Sequence, residues 1–535
     1  MRLIRPFPPS LSMITTPLIL GAWLAQMGFL LRAVERETGR ASLAADLPRY
    51  GSSAQWRGIY LRGEKIGFSV TQTSPVADGY EIEEDGRLRM SLLGMSTVTK
   101  LRSIVLVDRA FGLRSFSCSL DPGTGPVEVR GRVEGQRLQL SFRTARGTRE
   151  ETRTLATRPT LSANLTHQIV AAGLAVGKRF DIALFDPMTL TNAPATVEVV
   201  GREVLFVGGL PLPTYRLRSH FIGLDATMWI TETGEVVREE SPLGMVILKE
   251  DAQQATLLGA PGAARADLLE IASVVPRSKF PIPDPTAVVR LRIRLDGAGT
   301  LLARPDVSGA GQTLLPGNTL EVRVATLKAT QPLDPDARGY LAPEPFLESD
   351  DPAVRAEAAK AIAGVEGAAL RAEKLVRYVH ALIEKRPTIS LPSAAEVLRT
   401  RVGDCNEHTV LYVAMARAAG IPARIAVGLV YLLGAFHYHA WAEAYVEDPA
   451  GRGQWLPVDP TLNQFPADAT HIRLVRGGLE QQAALVASIG KIKIETLDVQ
   501  LRPGSERVLV GRERTDMSAL DIPLPRRSGT TCWGR

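Results

Sequence analysis

Cysteine is scarce in this chain: its 535 residues include three, Cys118, Cys405 and Cys532. Three exclude a disulfide framework, and none stands at a spacing that pairs it with a second cysteine around zinc. A basic block interleaved with aromatics is also missing. The 63 basic and 57 acidic residues are mixed along the chain, so the formal charge of +6 describes a solvated surface, and nucleic acid is not an expected partner. Nor is the composition that of a disordered chain, since 45% of residues are hydrophobic. At about 100 to 200 residues per domain, this length predicts about three domains.

What is present begins at the amino end. A charge-free stretch runs for 21 residues from Leu11 to Leu31, behind Arg2 and Arg5. As a helix it would span roughly 30 Å, the thickness of a bilayer core. A cleavable signal has a shorter apolar region, about 7 to 15 residues, and ends at a small-x-small site. Leu20 and Trp23, two places before Ala22 and Ala25, break such a site. The expectation is an uncleaved membrane anchor with the rest of the chain periplasmic or extracellular. Arg32 and Arg36 oppose that orientation, and a cleaved signal is the alternative.

The pattern then predicts an α+β multidomain chain. After a connector ending at residue 49, residues 50–260 form an antiparallel β domain that curls into a barrel or sandwich. Its strand pairs turn at Arg62-Gly63-Glu64, Asp85-Gly86 and Thr233-Gly234, with one helix within Arg158 to Ala172. Residues 261–345 hold a proline-marked linker and a small β-sandwich-like module, with strands at Val288 to Leu295 and Thr319 to Ala325; these strands could equally belong to the domain that follows. Residues 346–480 open with helices and end in strands, and 481–535 are a C-terminal extension.

Chemistry concentrates between Gly403 and Pro460. Asp404 is a helix cap, Gly420 a terminator, and Cys405 falls at the first helical position. There the positive helix end is expected to favour the thiolate. A thiolate acting on an amide needs an imidazole to protonate the leaving amine. Strand alternation in Phe436 to Val446 puts His437, His439, Trp441, Glu443 and Tyr445 on one face. Small Ala440, Ala442 and Ala444 take the other, leaving room for a helix. The next strand ends at Asp459-Pro460, where a carboxylate can fix the imidazole tautomer.

These residues resemble the core of the transglutaminase-like superfamily: a Gly-x-Cys helix start, a His-x-Trp strand and an Asp-Pro strand end. The resemblance covers Ala368 to Arg473. It implies a papain-like cysteine-enzyme core with Cys405 as nucleophile, His439 as base and acid, and Asp459 as orienter. His437 shares the parity of His439 but lacks the family's following Trp. Cys405 with His408 could instead bind metal, Glu407 fits a first-turn capping group, and Asp468 with His471 could line the cleft or cap the sheet edge. Asn406, Trp441 and His437 are candidates for the substrate cleft. Arg401, Asn406 and Trp441 are candidates for a second oxyanion donor beside the Cys405 N–H.

The resemblance implies a thiol-dependent protease, amidase or acyltransferase acting on a protein or peptide substrate, for example a cell-wall peptide. The alternative is a catalytically inactive envelope scaffold that keeps the fold. The mechanism requires no cofactor, and no Asp-rich loop with calcium spacing is evident, so no metal is expected.

Overall fold

The structure, a computed structural model, describes residues 50–503 apart from 259–272, 387–392, 327–330 and a few shorter stretches. The expected anchor, Leu11 to Leu31, and Cys532 lie outside the described residues. Among the described residues, no helix is long and apolar enough to cross a membrane.

A 14-stranded antiparallel sheet runs from β1 (Gln55–Leu61) to β14 (Met245–Glu250). Apart from β8 with β9, each strand pairs with its neighbours in sequence, and β1 closes against β14 through Trp56–Glu250 and Leu61–Met245. The outer strands are β8 (Gly147–Thr154) and β9 (Arg179–Asp186). Thr160, in the connection after β8, bridges to Leu184 of β9. Alternation does the burying: Val105, Val129, Leu138, Val197 and Leu217 are fully buried while their strand neighbours face water. Helix α1 (Ser162–Ala171) covers the second half of the sheet with Leu165 and Ile169.

Two of the expected turns are present, with Arg62 and Gly63 at positive φ in one and Gly234 in the other. Asp85-Gly86 is not a turn. Both residues sit inside the 14-residue strand β3 (Gly79–Leu92). Asp85 is buried there, accepting from the Tyr50 hydroxyl at 2.5 Å and paired with Arg87 at 3.3 Å. Those partners satisfy the carboxylate within the sheet, so it has no need of a solvated bend.

Helix α2 (Ala252–Thr256) packs on the start of the large sheet, with Ala255 against Tyr50, Phe68 and Val70. The remaining elements surround one core. Helices α3 (Pro352–Ala361), α4 (Ala368–Leu382) and α5 (Ala394–Thr400) precede α6 (Cys405–Ala418). From Leu411 to Ala416, α6 is buried on every side, as a helix enclosed by both helices and a sheet must be. A five-stranded sheet built from β18 (Ala423–Leu432), β19 (Ala435–Glu447), β20 (Arg452–Val458), β21 (Ile472–Arg476) and the two-residue strand Gln331–Pro332 lies on it. Ala440, Ala442 and Ala444 are fully buried in the same core, and their small side chains allow the close approach.

The small module is built with the far end of the chain. Strands β15 (Val288–Asp296), β16 (Gln312–Leu315) and β17 (Thr319–Arg323) share a sheet with β22 (Lys493–Leu501). The C-terminal extension thus supplies a strand to the module and is continuous with it.

Candidate active site

Cys405 is the first residue of α6, and its neighbours hold the helix end rigidly. Asp404 accepts the Asn406 N–H at 2.9 Å, and Glu407 turns back to accept the Asp404 N–H at 2.9 Å, a capping box. Gly403 is required by that return: a Cβ there would lie 2.2 Å from Glu407 Cβ. The thiol is half-buried and receives the Ala440 backbone N–H. The helix end does not make it acidic. Burial, then the Asp404 and Glu407 carboxylates, push the thiol well above its ordinary value. The capping groups that fix the helix place negative charge beside the sulfur, an effect opposite in sign to the helix dipole. A thiolate at this position therefore needs a cation to form against.

His439 stands opposite Gly428 in the β18–β19 ladder. Its Nε2 lies 2.7 Å from Asp459 Oδ2. Asp459 follows the last residue of β20 and is fully buried. Its Oδ1 accepts the N–H groups of Thr461 and Leu462 at 2.7 and 2.9 Å. Burial opposes its ionisation, but His439 and His471 override burial and hold the carboxyl far below the usual range. An ionised Asp459 accepts only, so His439 carries its proton on Nε2 and offers Nδ1 as the base. Cys405 and His439 line one cavity of about 280 Å³, together with Asn406, Val427, Tyr438 and Leu485.

The other expected cleft residues are placed differently. His437 is buried with Nε2 3.1 Å from the Leu432 carbonyl, at the hairpin end of the strand and away from the cavity. Trp441 is 1% exposed and does not line the cavity. Its ring stacks with His439 at 6.2 Å and meets His471 edge-on at 5.2 Å, so it forms the packing behind the imidazole. His408 is fully buried, its Nδ1 donates to the Asp404 carbonyl at 2.6 Å, and burial holds its pKa down to about 4. Glu443, on the same strand face, is fully buried among Arg424, Arg473 and Arg476. They bring it to about 2 against the opposing effect of burial.

His471 and Asp468 belong to the site. His471 Nε2 lies 3.0 Å from the Asp459 oxygen that His439 also contacts, and its Nδ1 lies 3.2 Å from Asp468 Oδ1. Their approach depends on Gly428, where a Cβ would lie 1.9 Å from the Ile472 carbonyl; the missing side chain lets β21 close on β18. The sequence contained the pair but not the bulge-shifted pairing of β21 with β18 that brings it under Asp459.

His439, Asp459 and His471 present ligand-type atoms within 4.8 Å of one another. They do not fit a metal well. Both His471 nitrogens face oxygens that only accept, so neither has a lone pair to give, and both Nε2 atoms share one carboxylate oxygen. The arrangement suits a chain of hydrogen bonds.

Residues 356–460 match the sequence profile of the transglutaminase-like superfamily. No curated protein matches the chain significantly. Similar solved structures include a protein of Cytophaga hutchinsonii described in its name as a candidate cysteine protease, at 20% identity with a TM-score of 0.26. The match covers 34% of this chain and 63% of that one, less than two thirds of its length. The periplasmic domain of TgpA from Pseudomonas aeruginosa is similar at 19% identity over 34% of this chain and 67% of that one, TM-score 0.21. A β-barrel-like protein of unknown function from Brucella abortus is similar at 11% identity over 37% of this chain and 95% of that one, TM-score 0.30.

Proposed function

We propose that the transglutaminase-like domain of this chain performs thiol-dependent acyl transfer or hydrolysis on protein or peptide amides, with Cys405, His439 and Asp459 as its triad. One observation carries the reading: the Cys405 thiol and the His439 ring line one cavity, and the ring is held by an ionised Asp459 at 2.7 Å. In the first step Cys405 Sγ bonds to the amide carbon while its proton passes to His439 Nδ1. Collapse of the tetrahedral intermediate breaks the C–N bond, and the leaving amine takes that proton from His439. The thioester is then resolved by water, giving an acid, or by a second amine, giving a new amide. In either case His439 accepts the incoming nucleophile's proton and returns it to the sulfur.

The cell envelope is the proposed place, with the Leu11 to Leu31 run as the tether and the catalytic domain outside the cytoplasm. Labelling the full chain with an electrophilic amide probe tests the triad. Wild type is expected to label at Cys405, while Cys405→Ala and His439→Ala are not. Equal labelling of all three would remove the proposal.

A further inference from the structure

The Asp459 carboxylate serves two imidazoles, and only one of them belongs to the triad. We propose that His471, held doubly protonated by Asp468, is a positioning residue that sets the pH range in which Cys405 and His439 work; this rests on the thiol reading above. The geometry requires two protons on the ring. Nε2 faces Asp459 Oδ2 at 3.0 Å, and Nδ1 faces Asp468 Oδ1 and the Asp468 carbonyl, each at 3.2 Å. Asp468 is itself fixed by the Thr470 N–H and hydroxyl at 2.8 and 2.6 Å and by Gln464 Nε2 at 2.8 Å. Burial opposes the charge on His471, but Asp468 and Asp459 outweigh it and raise the ring to about 10.

The consequence is electrostatic. A fixed cation beside Asp459 offsets part of the negative charge that helps hold the proton on the Cys405 thiol, and in a buried site little solvent screens it. Other ionisable groups packed around the array are Asp404 at the cap of α6, Glu407 and the neutral His408 on α6, His380 on α4, and Lys385 after it. The His471 ring nitrogens instead face Asp459 and Asp468.

The test is the rate of Cys405 alkylation by iodoacetamide against pH, read by intact mass on the full chain. His471→Gln keeps an amide donor for Asp459 and removes the cation, so nearby protons become harder to remove. The profile is expected to move to higher pH by about one unit or more. Asp468→Asn removes an anion but frees His471 to become neutral, so it should move the profile in the same direction by less. No shift in His471→Gln, or a shift to lower pH in Asp468→Asn, overturns the inference. A melting curve on each variant shows whether it folds. If His439→Ala leaves the wild-type profile unchanged, the triad reading fails instead.

A second observation stands apart from the site. Strand β10 (Thr191–Val207) and its partner β11 (Leu210–Phe221) extend past their neighbours: β9 pairs no further than Glu198, and β12 (Leu224–Ile230) no further than Tyr215. The free tip exposes Val204 at 56%, Phe206 at 73% and Leu210 at 73%. Below it Arg202 lies over the Tyr215 ring, 4.6 Å from its centroid. An apolar tip above an Arg and Tyr belt matches the layering of a bilayer interface. The register places Tyr50, where the uncharged Leu11 to Leu31 run lies upstream, at the same end of the sheet, because Trp56 pairs with Glu250 and Ile230 with both Tyr215 and Val236. Thr189 in the active cavity and Gly223, which accepts from Lys491, lie at the other end of these strands.

We infer that the hairpin tip rests in the surface layer of the bilayer that holds the anchor, and that the 17 residues of β10 set the cavity roughly 55 Å away. The test replaces Phe206 with photoreactive benzoylphenylalanine in the full chain bound to phosphatidylethanolamine–phosphatidylglycerol vesicles. The same replacement at the equally exposed Leu433 is the control. Lipid adducts at 206 and not at 433 are expected. Adducts to a second copy of the chain, equal lipid adducts at both positions, or none at 206 would overturn the inference, and flotation of the vesicles reports the anchor separately.

Discussion

Thr189, in the turn that leads into a strand of the large sheet, and Cys405, at the start of the central helix, line the same cavity. The β domain therefore forms part of the wall beside the thiol. Replacing Thr189 with Trp should narrow the cavity and slow turnover of a peptide amide by roughly tenfold or more, the loss expected when positioning is disturbed. Alkylation of Cys405 by small iodoacetamide should be unchanged. Equal loss in both assays would mean that the wall supports the fold and does not meet substrate.

Asp459 is predicted to act through the tautomer of His439. Asp459→Asn keeps the size but presents an amide that can donate, which favours the ring with its proton on the wrong nitrogen. Turnover should fall by about 10²- to 10⁴-fold with little change in KM. A fall in KM-limited binding alone, with kcat intact, would contradict this assignment.

Glu443 lies among three arginines with no exposure of its own. Glu443→Gln leaves Arg424, Arg473 and Arg476 clustered without their anion and should destabilise the protein by about 3–5 kcal/mol in denaturant unfolding. The exposed Glu447→Gln, four residues along, serves as control and should change little.

Stability should fall at both ends of the pH scale for different groups. Asp459, Asp468 and Glu443 have lowered values, so their contribution is complete above the ordinary carboxylate range of about 4 and is lost as pH falls through the folded values, about 2 for Glu443. His471 is raised to about 10, so its contribution is complete below about 6.5 and is lost as pH rises through about 10. Buried His408, held down to about 4, adds to the acid side, since below about pH 6.5 only the unfolded chain takes up its proton; melting temperature should therefore peak near pH 6.5 and decline on either side. His471→Gln should flatten the alkaline decline; an unchanged slope would exclude His471 as its source.

The helix start at Cys405, the His439 strand and the Asp459 strand end were each legible in the sequence, because a cap, a two-residue alternation and an Asp-Pro stop are local signals. The state of the thiol was not. It depends on how deeply α6 is enclosed and on where the Glu407 carboxylate folds, and both are set by tertiary packing. Parity placed His437 and Trp441 beside His439 but could not show that the cavity is lined by Tyr438, His439 and Ala440 and by neither of those two. Asp85-Gly86 had the local composition of a turn, and the distant Tyr50 hydroxyl, with Arg87, made it strand. Nor could the sequence show that Lys493–Leu501 returns to pair with Val288–Asp296, since that partnership crosses the whole transglutaminase-like domain.

The most direct test of the account is intact-mass analysis of the full chain, acid-quenched during turnover of peptide amides. The account predicts an acyl adduct on Cys405 that hydroxylamine removes, as expected of a thioester, and that is missing in His439→Ala. An adduct on another residue, or one on Cys405 that forms equally well in His439→Ala, would contradict it.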